Sequence, residues 1–220
     1  MLDNSGKYLD SAFPPTQDSL IKGDPSENVI DLFPSEIDML NSSEFRRLSD
    51  IEGKNVAIFN GIDPNDIIQG ELGNCYYLSA VSALAEFPKR VEKCFSTHDN
   101  NDYCKYTVRL CIQGQWFDID LDDYFVWHAD KETWRFSRSK TNEMWVQLLE
   151  KAWAKACGSY AKTIGGNTCE SLRVLTGAPT ESVEHKSVDL NTLWDKLYNA
   201  DQKSYVMACS IGSDDVPGDH

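Results

Sequence analysis

The stretch DIIQGELGNCYYLSAVSALAEF, residues 66–87, holds one cysteine, Cys75, where a glycine-bearing loop gives way to an apolar run. A thiol in the first turn of a helix sits in the positive end of the macrodipole, which favours the thiolate, the nucleophilic form. Gln69 lies six residues upstream. Its side-chain amide can aim an N–H at an oxyanion developing beside the Cys75 backbone N–H. The glycines of QGELG let a substrate carbonyl come close to the backbone. The ordinary fate of a free cysteine is burial as a small hydrophobe. Helix position alone does not decide between the two, and the Gln–Gly loop beside the thiol tips the reading towards chemistry.

These groups need elements to hold them. Asn74 can cap a helix that runs through CYYLSAVSALAEF until Pro88 stops it. KYTVRLCI at 105–112 alternates, Gln113-Gly114 turns the chain, and QWFDIDL alternates again with Phe117, Ile119 and Leu121 in phase. That pattern predicts a hairpin. NEMWVQLLEKAWAKACG returns to helical spacing, with Trp145, Leu148, Leu149, Ala152, Trp153 and Ala156 in one core-facing stripe and Gly158 as the stop. LNTLWDKLYNA at 190–200 is a third amphipathic helix, and SYVMACSI at 204–211 reads as a buried strand. Residues 1–50 are polar and rich in Pro, Ser and Asp, as expected of an extended strap with short helical pieces such as Ser35 to Leu40.

Composition sets outer limits. Of 220 residues, 41% are hydrophobic, enough for a packed core. The net charge of -14, from 21 basic and 35 acidic residues, disfavours binding to nucleic acid or to anionic membranes and is compatible with divalent cations. No apolar run approaches the ~20 residues that span a bilayer, and MLDNSGKYLD does not read as a signal peptide. Seven cysteines, an odd number without a C-x-x-C pair, argue against a structural zinc site and a disulfide framework. Free thiols in a reducing cytoplasm are the better reading.

With these residues assembled, the segment DIIQGELGNCYYLSA resembles the nucleophile segment of calpain-type, papain-like cysteine proteases. The likeness extends over nearly the whole chain in the family's order: FPP…SL at 13–20, GQWFDIDLDD at 114–123, NEMWVQLLEKAWAKACGSY, and GGNTCESLRVLTGAPTE. The resemblance implies an α+β endopeptidase core of two lobes. The first is mainly helical, with a small β-hairpin; the second is sheet-rich and only begun in this chain. It divides the chain into the strap at 1–50, the first lobe at 51–203 and the start of the second at 204–220. Cys75 falls on the nucleophile, Gln69 on the oxyanion donor, Gly166 on a backbone position lining the substrate cleft, and His220 on the catalytic base. The Cys75 to His220 separation agrees with the roughly 130–150 residues of the papain pattern. Here Asp219 intervenes between Gly218 and His220, whereas the family places Gly directly before the His. His98, His128 and His185 carry no supporting motif and read as structural or solvated.

Two further departures concern the nucleophile: Asn74 stands where the family usually has Asp, and Tyr76 where it has Trp. The family's catalytic Asn and its shielding Trp lie beyond the His. These 220 residues alone are therefore expected not to hydrolyse peptides.

The resemblance also implies Ca²⁺, held by the Phe59 and Gly61 carbonyls with the Asp66 and Glu143 carboxylates, a set of hard oxygens suited to that ion. An EF-hand at DIDLDDYFVWHA fails, because Asp123 occupies the glycine position and Ala129 the glutamate position. Asp122 and Asp123 read instead as a solvated hairpin edge. The expected function is a calcium-regulated cytoplasmic cysteine endopeptidase acting on protein substrates, with regulatory domains or a subunit outside this chain. The alternative is a non-catalytic calpain-like domain that binds calcium or a partner.

Overall fold

The computed structural model describes residues 1–22, 32–53 and 56–210. Its helices are α1 (Gln17–Leu20), α2 (Pro34–Asn41), α3 (Leu48–Ile51), α4 (Cys75–Ala85), α5 (Pro88–Glu92), α6 (Trp145–Cys157), α7 (Thr168–Thr176) and α8 (Leu190–Gln202). The strands are β1 (Glu44–Arg47), β2 (Ile67–Ile68), β3 (Tyr106–Ile112), β4 (Gln115–Leu121), β5 (Tyr124–His128), β6 (Thr133–Trp134) and β7 (Arg138–Ser139). The strands form three small antiparallel groups, β1-β5-β6, β2-β7 and β3-β4. This is an α+β arrangement of helices with small sheets.

The predicted hairpin forms, pairing Tyr106 with Leu121 at its base and Ile112 with Gln115 at its tip. Gln113 and Gly114 both have positive φ, 51° and 80°, as a two-residue turn matched to strand twist requires. Ile119 and Leu121 point inwards, but Phe117 near the tip is 46% exposed. Pro88 does not end α4 directly. The helix stops at Ala85, and Pro88 takes the first position of α5, where its missing N–H costs nothing. Gly158, at φ 99°, closes α6 as expected.

The main core gathers around α4, α6 and β3: Tyr77, Val81 and Leu84 from α4 meet Trp145, Leu148 and Leu149 from α6 and Val108 and Leu110 from β3. The Tyr77 ring stacks on Trp153 at 5.6 Å, and Tyr77 Oη donates to the Leu149 carbonyl at 3.0 Å. A second cluster lies beneath the strap, where Phe13, Leu20 and Leu40 pack with Leu72, Phe136 and Tyr160.

Asp122 and Asp123 are not a solvated edge. Both are buried, and each pairs with a buried cation on a neighbouring element. The Lys151 ammonium of α6 pairs with Asp122, which also accepts the Asp10 N–H at 2.8 Å. The Arg47 guanidinium pairs with Asp123 and, at 2.7 Å, with Asp3. The Asp10 carboxylate in turn meets Lys155 at 2.6 Å, so acids and cations tie the strap to α6. A second correction concerns the chain end. Residues 204–210 form no strand and are exposed apart from the half-buried Val206; no strand among the described residues lies alongside to pair with them.

Candidate active site

Cys75 occupies the first position of α4 and its residue is exposed. Asn74 is the N-cap residue, but its side chain does not cap. Its Nδ2 donates inwards to Glu150 Oε1 at 2.8 Å, and its Oδ1 is buried without a partner. The buried acid has claimed the amide that would otherwise serve the helix end. Burial pushes the Glu150 carboxyl up to about 7, against the hydrogen bonds from Asn74 and from the Ser137 N–H that favour its charged form. The residue before Cys75 is therefore held from inside α6 rather than by its own helix.

Upstream, the loop presses backbone against backbone on residues 135–136. A Cβ at Gly70 would stand 2.3 Å from the Arg135 carbonyl oxygen, so only glycine fits. The Glu71 N–H donates to that oxygen at 2.9 Å. Downstream, the Gly165 N–H donates to the Gly73 carbonyl at 2.9 Å. Gly166 follows at once and lies against the Tyr76 ring, where a Cβ would come within 2.4 Å of Cζ. Tyr76 itself is fixed by Trp153, whose Nε1–H donates to its Oη at 3.0 Å. Burial pushes the Tyr76 hydroxyl up to about 12, partly offset by that hydrogen bond.

Cys75 and Gln69 open on one groove of about 430 Å³, walled by Ile67, Leu78 and Ser79 on one side and by Met207 and Cys209 on the other. Among the described residues no histidine lines it. His98 and His185 are exposed, and His128 is buried with its Nε2 3.6 Å from Glu71. His220 lies outside the described residues. The structure thus brings Cys75, Gln69 and Gly166 onto one loop cluster.

The four oxygen ligands expected for a cation are gathered less completely. Ala57 bridges Glu143, and the Lys140 N–H donates to the Asp66 carbonyl at 2.8 Å, so the 57–66 loop and the start of α6 are neighbours. Glu143 is buried. One oxygen accepts from Thr141 Oγ1, and Oε2 is buried without a hydrogen-bond partner among the described residues. Its side chain faces a cavity of about 240 Å³ that Phe59, Gly61 and Asp66 do not line. Among the described residues no group of three His, Cys, Asp or Glu side chains is gathered for a metal.

Two acids that matter here were invisible as such in the sequence: Glu71, one residue of a five-residue loop motif, and Glu150, an acid inside a helix. The only signal was that Glu150 sits among aromatic and aliphatic neighbours. Its contacts join segments too distant in sequence for spacing to reveal.

A family model described as calpain family cysteine protease matches residues 8–217, a span that includes Cys75, Gln69 and Gly166. The chain belongs to the calpain family of cysteine proteases. Among curated calpain relatives, the calpain-type cysteine protease DEK1 of Zea mays is 34% identical over 219 residues, covering 94% of this chain and 10% of that protein. Calpain-A of Drosophila melanogaster is 32% identical, covering 83% of this chain and 23% of the relative. Calpain-5 of Caenorhabditis elegans is 29% identical, with 87% and 29% covered. The chain therefore spans between a tenth and about three tenths of these calpains. No helix among its described residues is long and apolar enough to cross a membrane.

Proposed function

We propose that this chain carries the nucleophile-bearing lobe of a calcium-regulated, papain-like cysteine endopeptidase that cleaves protein substrates inside the cell. One observation carries the reading: Cys75 is exposed at the first position of a long buried helix and shares its groove with Gln69. In the reaction, the Cys75 thiolate attacks the scissile carbonyl carbon. The oxygen takes up the negative charge and is met by the Gln69 amide and the Cys75 N–H. The amine departs with the proton that a base, for which His220 is the candidate, took from the thiol and now returns as its conjugate acid, and a thioester remains on Cys75. Water then hydrolyses it, releasing the acid and the thiol. The Gly166 backbone, bare of any side chain, presents its peptide groups to the substrate chain. Seven free cysteines support a reducing compartment.

Calcium would be held by the Phe59 and Gly61 carbonyls and the Asp66 and Glu143 carboxylates, and its charge would draw the 59–66 loop onto the start of α6. The unpartnered Glu143 Oε2 supports this, as does the position of Asp66 three residues before Gln69.

The test is a fluorogenic peptide assay on the full-length protein with millimolar calcium. Gln69→Ala should lower kcat by about 10²–10³-fold; a loss below tenfold removes Gln69 from the oxyanion site. Calorimetry of calcium binding should lose its heat in Glu143→Ala. In the wild type, calcium at a hundred times Kd should raise stability by about 2.7 kcal/mol. No heat with wild type rejects the cation.

A further inference from the structure

The Glu71 carboxylate sits among three cationic or protonatable groups, all from β5 and the segment that follows it. Lys131 Nζ donates to Oε1 at 2.5 Å, His128 Nε2 lies 3.6 Å from the same oxygen, and Arg135 Nε lies 3.2 Å from Oε2. Arg135 is almost fully buried and anchored elsewhere: its Nη1 donates to the Met39 carbonyl at 2.5 Å and to Ser42 and Ser43 Oγ at 2.9 Å each. Glu71 is thus bound to Arg135 twice, by its own N–H to the Arg135 carbonyl and by its carboxylate to the guanidinium. Gly70 allows the close backbone approach that makes the double attachment possible. One residue from Gly70 is Gln69; four from Glu71 is Cys75. Burial raises the Glu71 carboxyl, but Lys131, Arg135 and His128 outweigh it and hold it below its ordinary value.

The charged clamp is not needed to hold the loop's downstream end. Leu72 is buried in the second core cluster, and Asn74 is held by Glu150. What the clamp adds is a fixed position for residues 69–71, which precede both. We infer that Glu71 is a positioning residue for catalysis: through Arg135 and Lys131 it fixes the loop that carries Gln69, and so sets the oxyanion donor relative to the Cys75 thiol. The inference rests on the reading of Cys75 and Gln69 given above. Small displacements of a catalytic group cost large factors in rate and little in substrate binding. Arg135 also joins the end of α2 to this loop, so the strap and the nucleophile segment share one anchor.

The experiment uses the full-length protein with Glu71→Gln, which keeps the shape and removes the charge, Glu71→Ala, and Arg135→Lys. Two readouts are taken. Hydrogen exchange of the peptide spanning residues 69–74 should quicken at least tenfold in Glu71→Gln, without a change in α4 beyond Leu78. With a peptide substrate, kcat should fall about tenfold with KM within twofold. The double variant Glu71→Gln with Arg135→Lys should be no slower than the worse single variant, because both remove one contact. Unchanged exchange, or a kcat within twofold of wild type, overturns the inference. So does a rise in KM with kcat intact, which would make Glu71 a substrate contact. If the wild type has no Cys75-dependent activity, the protease reading fails and the catalytic role of Glu71 falls with it. The exchange readout still decides separately whether the clamp holds the loop.

Discussion

Helices α6 and α8 are both 13 residues long and both carry apolar residues at helical spacing, yet they have opposite fates. Every position of α6 from Trp145 to Ala154 is buried, including Gln147, Glu150 and Lys151. No residue of α8 is buried: Leu190 is 78% exposed, Trp194 66% and Tyr198 53%. Periodicity reports that a helix has an apolar face. It does not report whether other elements cover that face, or whether they also cover the opposite one. In α6 they do, because the strap, β4–β5 and the 135–139 segment close over its polar side, and its two charged residues there have found partners. Lys151 has Asp122, Glu150 has Asn74 and the Ser137 N–H. In α8 the helix is held by its start, where Asp189 accepts the N–H groups of Asn191 and Thr192 at 3.0 Å each.

The contrast can be broken by mutation. The largest effect is expected from Lys151→Ala, which leaves the buried Asp122 carboxylate without its cation. Unfolding by urea should show a loss of about 3–5 kcal/mol; a loss under 1 kcal/mol would mean that water reaches Asp122 and that the polar side of α6 is open. Next comes Leu148→Ala, which opens a cavity between α6 and its neighbours and should cost about 2–5 kcal/mol in the same measurement.

A third effect depends on pH. Glu150 ordinarily titrates at 4.5 and is pushed up to about 7 when folded. A folded-state value above the unfolded one means that the folded protein holds the proton more tightly. The favourable contribution is therefore complete below about 4.5 and is lost as pH rises through about 7. Relative to wild type, Glu150→Gln should remove a decline of roughly 3 kcal/mol across that window. Rotation of the Asn74 amide would let its unpartnered Oδ1 accept from the new amide, so the variant keeps its hydrogen bonds. Parallel pH–stability curves for the two proteins would show that Glu150 titrates normally. The smallest effect belongs to α8: Leu197→Ala should stay within about 0.5 kcal/mol. A loss above 1.5 kcal/mol would show that this face is covered and that the contrast with α6 is not real.

The same logic explains what the sequence made legible. The β3–β4 hairpin was readable because alternation and a Gln-Gly turn are local signals. The helix that starts at Cys75 was readable because an apolar run follows a glycine loop. The role of Asn74 was not, since its amide turns to Glu150, far away in sequence, rather than to its own helix. Nor was the burial of Asp122 and Asp123: two acids at a strand end look solvated until Lys151 and Arg47 arrive from other elements. SYVMACSI has the composition of a buried strand, but residues 204–210 have no neighbouring strand among the described residues and remain exposed. At the candidate site, Cys75, Gln69 and Gly166 were proposed through their motifs, and the structure places them on one loop cluster. The carboxylates that hold them were not, because they act across the fold.

The central claim is that Cys75 is the nucleophile, and exposure alone does not distinguish it. Cys209 is also exposed and lines the same groove, whereas Cys94 is buried and its thiol is pushed up to about 12 by that burial. The most direct measurement is covalent trapping in the full-length protein. The protein is treated with a peptide bearing a thiol-reactive electrophile at its cleavable position, digested, and mapped by mass spectrometry across all seven cysteines. The account predicts a single adduct on Cys75, formed faster with the peptide than with iodoacetamide and absent from Cys75→Ala. An adduct on Cys209 or another cysteine that forms equally fast, or one that persists in Cys75→Ala, would contradict it.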